Sequence, residues 1–172
     1  PAVSSRPRPG LPARAPLLFA VLSHARPFLR ELADAGLSQV CVRSGDPVSA
    51  RLLTGGIEQM AACRLEEAIQ AFSKVIQRRP AFAEGWNKRA TAYFLAGELR
   101  KSLADCAEVI KRNPQHFGAL SGYGQIYFRL EDYERSLENY RRALAVNPNM
   151  GNVETNIKAI EELLREKRRK MI

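Results

Sequence analysis

Two histidines, three cysteines and a scatter of carboxylates are the side chains with which this sequence could do acid–base, nucleophilic or metal chemistry. Neither His24 nor His116 has a metal-type partner at helical spacing, and no HExxH occurs. Cys41, Cys63 and Cys106 form no CxxC pair, so a zinc ribbon or thioredoxin-type centre has no support. They read as reduced thiols of a reducing intracellular compartment, the cytoplasm or the matrix of a mitochondrion or plastid. Asp105 and Glu108 stand one helical turn apart, and such a pair on a charged helix is expected to be solvated. Leu120–Gly124 is rich in glycine, but it is neither a GxxxxGK[ST] phosphate loop nor a GxSxG elbow. It is expected inside a helix, where glycines allow close packing. With no nucleophile, base and orienting group in one pattern, the reading is a chain without catalytic residues, cofactor or metal.

The elements that carry these residues follow a period. Pro80, Pro114 and Pro148 are each 34 residues apart, and two of them sit in an Asn-Pro pair. With each proline at position 32, three units run 49–82, 83–116 and 117–150. Position 4 is then Leu52, Trp86 and Leu120; position 8 is Gly56, Ala90 and Gly124; position 11 is Gln59, Tyr93 and Tyr127. Position 20 is Ala68, Ser102 and Ser136, position 24 is Phe72, Cys106 and Tyr140, and position 27 is Val75, Val109 and Ala143. Small residues at 8, 20 and 27 let two helices approach, large ones at 4, 11 and 24 fill the space between them, and proline stops the second helix. Apolar residues such as Leu65, Ala68, Ile69, Phe72 and Ile76 recur on one helical face. First helices are expected near 49–62, 83–96 and 117–130, and second helices near 65–79, 99–112 and 133–146. Turns are expected at Cys63-Arg64, Gly97-Glu98 and Glu131-Asp132.

This pattern resembles the tetratricopeptide-repeat family over residues 49–150. The departures are Gln59, Cys106 and Arg89, the last at position 7 of the second unit. The stretches Phe82–Thr91 and His116–Gly122, with Ser44–Asp46, are similar to those of largely uncharacterised proteobacterial and plant or algal members. The resemblance implies an all-α superhelix of three helical hairpins with a C-terminal capping helix, and a role as a protein-binding adaptor or scaffold. It also implies a concave groove lined by the first helices, in which Asn87, Thr91, Phe94, Ser121, Gln125, Phe128 and Arg129 are the candidate partner-binding residues. Members that grip the carboxyl-terminal tails of chaperones use lysine, asparagine and arginine at positions where this sequence has Leu53, Ile57, Lys88, Gly118 and Gly122. Such tails are therefore not the expected ligand.

The two ends differ from the repeats. Residues 151–172 read as the capping helix, with Val153, Ile157, Ile160 and Leu164 on one face and basic residues toward its end, as the helix dipole favours. Residues 1–48 form a basic, Pro- and Arg-rich segment, partly disordered, whose first 30 residues hold five Arg and no acid, a transit-like composition. Short helices at 17–25 and 27–35, with Leu37, Val40 and Val42 leaning on the first repeat, would make it an N-terminal cap. The net charge of +9 is spread along the chain, and with the basic ends it gives the alternative reading: a subunit of an organellar ribonucleoprotein or other large assembly that contacts nucleic acid. No apolar run approaches the roughly 18 residues of a membrane span.

Overall fold

The computed structural model describes residues 46–170. The expectations for residues 1–45, His24 and Cys41 among them, lie outside the described residues. Seven helices follow one another in this region: α1 (Pro47–Ala61), α2 (Leu65–Arg78), α3 (Ala83–Leu95), α4 (Leu99–Arg112), α5 (Phe117–Arg129), α6 (Tyr133–Val146) and α7 (Gly151–Arg169). They pair as the hairpins α1–α2, α3–α4 and α5–α6, each second helix packs on the next first helix, and α7 packs on α6. This is the expected all-α architecture. Only α1 departs from the 34-residue frame, starting at Pro47 because proline suits a first helical position and Asp46 caps it. Asp46 accepts hydrogen bonds from Val48 N at 3.0 Å and from Ser49 Oγ, and it pairs with Arg78 at 3.2 Å. The Ser49 hydroxyl, then Arg78 and the Val48 amide, hold its carboxyl down at about 2.

The turn inside each hairpin uses one left-handed residue at position 15: Cys63 (φ 58°), Gly97 (φ 79°) and Glu131 (φ 60°). Only the middle unit places a glycine there, although this backbone region disfavours a Cβ. Each second helix ends two residues before its proline. The intervening Arg79, Asn113 and Asn147 have φ of −139°, −143° and −131°, the extended backbone that a following proline imposes. The Asn113 and Asn147 side chains also accept from the amides two residues on, at 3.2 and 3.1 Å, which closes the same turn twice.

Packing within each hairpin explains Cys106, an apparent departure. A Cβ added at Gly56 would lie 2.5 Å from the Phe72 ring, and one at Gly124 would lie 2.5 Å from the Tyr140 ring. The rings at position 24 thus lie on bare backbone at position 8. In the middle unit position 8 is Ala90, whose methyl takes that space, and position 24 shrinks to cysteine. Burial, with the nearby Asp105 charge, pushes the Cys106 thiol up to about 12, so it is an unreactive packing group. Ser102 and Ser136 tie the helices further, each donating at 2.7 Å to the carbonyl of position 8, Ala90 and Gly124 respectively.

α7 buries Val153 and Ile160 against α6, with Ile157 and Leu164 partly covered. It repeats the packing of a first helix but puts Lys158 where a following helix would need a small residue. Glu161 of α7 pairs with Arg141 of α6 at 2.8 Å. No helix among the described residues is long and apolar enough to cross a membrane.

Candidate functional site

Neighbouring first helices, α1 with α3 and α3 with α5, approach one another closely, which neighbouring second helices do not. The stack therefore curves with first helices on its inner side, and this concave wall is the candidate site. At the α1 end it is apolar: Leu53 and Met60 are buried and Ile57 is half-buried. Toward α3 and α5 it becomes polar and aromatic.

The expected groove residues take three kinds of place. Phe94 and Arg129 meet toward the C-terminal ends of their helices, with the Arg129 guanidinium 4.8 Å from the centre of the half-buried Phe94 ring, and Gln125 lies one turn before Arg129 on α5. Arg129 is exposed and Gln125 half-buried, so these three offer an apolar face, an amide and a cation to an incoming chain. Thr91 is half-buried and its hydroxyl donates to the Asn87 carbonyl at 3.1 Å, leaving its lone pairs as acceptors. Asn87, Ser121 and Phe128 are committed inward. Asn87 is buried and its amide nitrogen lies 3.3 and 3.4 Å from the two carboxylate oxygens of Glu84. Ser121 is 1 % exposed, and its hydroxyl finds no hydrogen-bond partner among the described residues. Phe128 packs on Tyr133, with ring centres 5.8 Å apart, and on the cluster that α7 completes.

A polar cluster dominates the middle of this wall. Glu84 Oε1 lies 3.2 Å from Lys88 Nζ, and Glu84 Oε2 lies 3.1 Å from His116 Nε2. His116 is the N-cap of α5, and its Nδ1 accepts from the Ala119 amide at 3.1 Å. A ring nitrogen that accepts carries no proton, so the proton of the neutral ring sits on Nε2 and points at Glu84. Burial works against ionisation of Glu84, but the His116 hydrogen bond and the Lys88 charge outweigh it and hold the carboxyl below its usual range. His116 thus caps α5 through its Nδ1. Its second contact, to a residue 32 positions earlier, was not foreseen, although the 34-residue frame places the end of one unit beside the start of its first helix.

The other face of α3 carries a second ion pair. Asp105, expected to be solvated beside Glu108, is 4 % exposed. The reason is Arg89: its Nε and Nη2 donate to Asp105 Oδ2 and Oδ1 at 2.7 and 2.8 Å, and its Nη1 donates to Ser73 Oγ at 3.0 Å. This fork ties α2, α3 and α4 together. Trp86 flanks it, 5.1 Å from Arg89 and 4.6 Å from Arg112, and donates its indole N–H to the Pro80 carbonyl at 2.9 Å. Glu108 has no part in this and pairs with Arg112 toward solvent.

Stacked antiparallel helix pairs, curved around a lined inner wall, define a helical-repeat protein of the solenoid class. Sequence profiles described as tetratricopeptide repeat match residues 53–116 and 117–150. The chain belongs to the tetratricopeptide-repeat family. It is 33% identical over 97 residues to a TPR repeat-containing protein of Rhizobium etli, covering 56% of this chain and 48% of that protein. It is 28% identical over 94 residues to Hsp70-Hsp90 organizing protein 1 of Glycine max, covering 55% of this chain and 16% of that protein. The chain thus spans about half the length, or less, of these curated relatives. Among solved structures, the first TPR of Spaghetti (RPAP3) bound to the HSP90 peptide SRMEEVD matches with a TM-score of 0.65 at 24% identity, over 69% of this chain and 94% of that one. The Sgt2 TPR domain from Aspergillus fumigatus matches with a TM-score of 0.68 at 23% identity, over 72% of this chain and 83% of that one. At such identities the likeness is one of fold.

Proposed function

We propose that the chain is a non-enzymatic adaptor whose concave wall holds an extended or helical segment of a partner protein. The observation that carries this reading is the wall itself, a continuous inner surface on α1, α3 and α5 that passes from apolar to polar-aromatic and ends on the exposed Arg129 beside Phe94. Aromatic and arginine side chains of this kind anchor peptides efficiently. The solved neighbours support it: the first RPAP3 domain is bound to an HSP90 peptide, and the second human RPAP3 domain is in complex with the HSP70 peptide SGPTIEEVD. This chain's ligand differs from those tails, because Leu53, Ile57, Gly118 and Gly122 stand where a tail carboxylate needs polar or cationic contacts.

Ion pairing favours a protein over a polyanion as partner. Lys101, Arg135 and Arg141 lie 3.3, 3.5 and 2.8 Å from Glu98, Asp132 and Glu161, so part of the basic surface is already neutralised. Affinity purification of the wild type and of a Phe94→Ala/Gln125→Ala/Arg129→Ala variant, followed by mass spectrometry, tests the groove. Specific partners of the wild type are expected to be lost from a variant whose helical circular dichroism is unchanged. Identical partner sets would remove the groove from the account.

A further inference from the structure

The carboxylate of Glu84 is an unusual occupant of a binding wall. Four donor contacts converge on it from three side chains: Lys88 Nζ at 3.2 Å, Asn87 Nδ2 at 3.3 and 3.4 Å, and His116 Nε2 at 3.1 Å. The donors belong to different hairpins, since Lys88 and Asn87 lie on α3 and His116 opens α5. The lysine side chain is only 5% exposed, so its ammonium depends on a counter-charge within the wall. The carboxylate and the imidazole are themselves in reach of the groove, at 18% and 15% side-chain exposure. Nothing bulky covers them from α5, where Gly118 has no side chain. A Cβ added there would stand 3.2 Å from His116 Cε1 and 3.6 Å from Asn87 Nδ2. A buried cation, an amide and an imidazole N–H, arranged around one point and open on one side, are the components of a site for a carboxylate.

We propose that Lys88, Asn87 and His116 build a carboxylate site on the concave wall, that Glu84 fills it from within, and that the groove consequently excludes partners presenting an acidic side chain or chain terminus there. Glu84 is then a specificity-determining residue. The segment that fits carries no acid at this point, because Glu84 already occupies the donors and repels a second carboxylate. This deepens the groove reading and rests on it. The affinity purification asks whether the groove holds a protein, whereas the test below asks only what the wall does with an anion, so the two can fail separately.

The test removes the internal carboxylate and offers one from outside. Glu84→Ala and the wild type are melted in sodium chloride and in sodium acetate, each at about 0.2 M. The variant is expected to melt below the wild type in chloride and to be raised by about 3 °C or more in acetate, with the wild type unchanged to within about 1 °C. No recovery of the variant, or an equal rise in both proteins, overturns the site. If Glu84→Ala does not fold, Glu84→Ser, whose short hydroxyl keeps one acceptor near Lys88 and leaves room for an anion, is melted in the same two salts. A rise in acetate about 3 °C or more beyond the wild type's supports the proposal. An equal rise in both proteins, or none in the variant, overturns it.

Discussion

Lys88 and Arg89 are neighbours on α3 and carry the same charge, yet they pair in different ways. Arg89 spends its planar fork on both oxygens of Asp105 and on Ser73, with Trp86 alongside, and draws three helices into one packed unit. Lys88 places a single ammonium against Glu84, on a wall where asparagine and histidine share the same carboxylate. The first arrangement is bidentate and directional, as a guanidinium allows; the second is a point charge beside a carboxylate shared by several donors. The contrast separates a pair on the outer side of α3 from one on the wall proposed to hold a partner.

The largest effect should come from breaking the bidentate pair. Asp105→Ala leaves the half-buried Arg89 guanidinium without its partner, and unfolding by urea is expected to show a loss of about 3 kcal/mol. A loss below about 1 kcal/mol would mean that the fork adds little and that the two pairs are alike.

Glu84→Gln should cost less, about 2 kcal/mol at neutral pH, because hydrogen bonds to a neutral acceptor replace charged ones. Its dependence on pH sharpens the comparison. The folded state holds the Glu84 carboxyl below its unfolded value, so its stabilisation is present above the unfolded pKa of about 4.3 and is lost as pH falls. Melting temperatures of the wild type and the variant should therefore converge as pH drops below about 4. A constant gap would show that the charge of Glu84 contributes nothing.

The smallest effect sets the floor. Lys101 pairs with Glu98 at 3.3 Å, but its side chain is 59% exposed, and Lys101→Ala should change stability by no more than about 0.5 kcal/mol in the same unfolding experiment.

The fold was largely legible in the sequence, because three prolines in phase fix where each second helix stops and the small and large positions fix how hairpins close. The cluster on the wall was only partly legible. Asp105 looked like a surface acid because its partner, Arg89, lies 16 residues away on another helix and is itself a departure from the family pattern. Asn87 and Phe128 stood at groove positions by the frame, but side-chain packing decides whether such a position faces outward, and here Glu84 and Tyr133 turn them inward. Lys88 and His116 each look ordinary alone in the sequence. Their meaning comes from the carboxylate they share.

The reciprocity between positions 8 and 24 limits how these units can be recombined. A whole hairpin carries its own matched pair, glycine under a ring or alanine under cysteine, and can be moved as a module. Single helices cannot: joining α3 to α6 would set the Ala90 methyl against the Tyr140 ring, where even the Cβ of an alanine at Gly124 would stand 2.5 Å away. The hairpin, and not the helix, is the smallest part from which a chimera of this protein can be assembled.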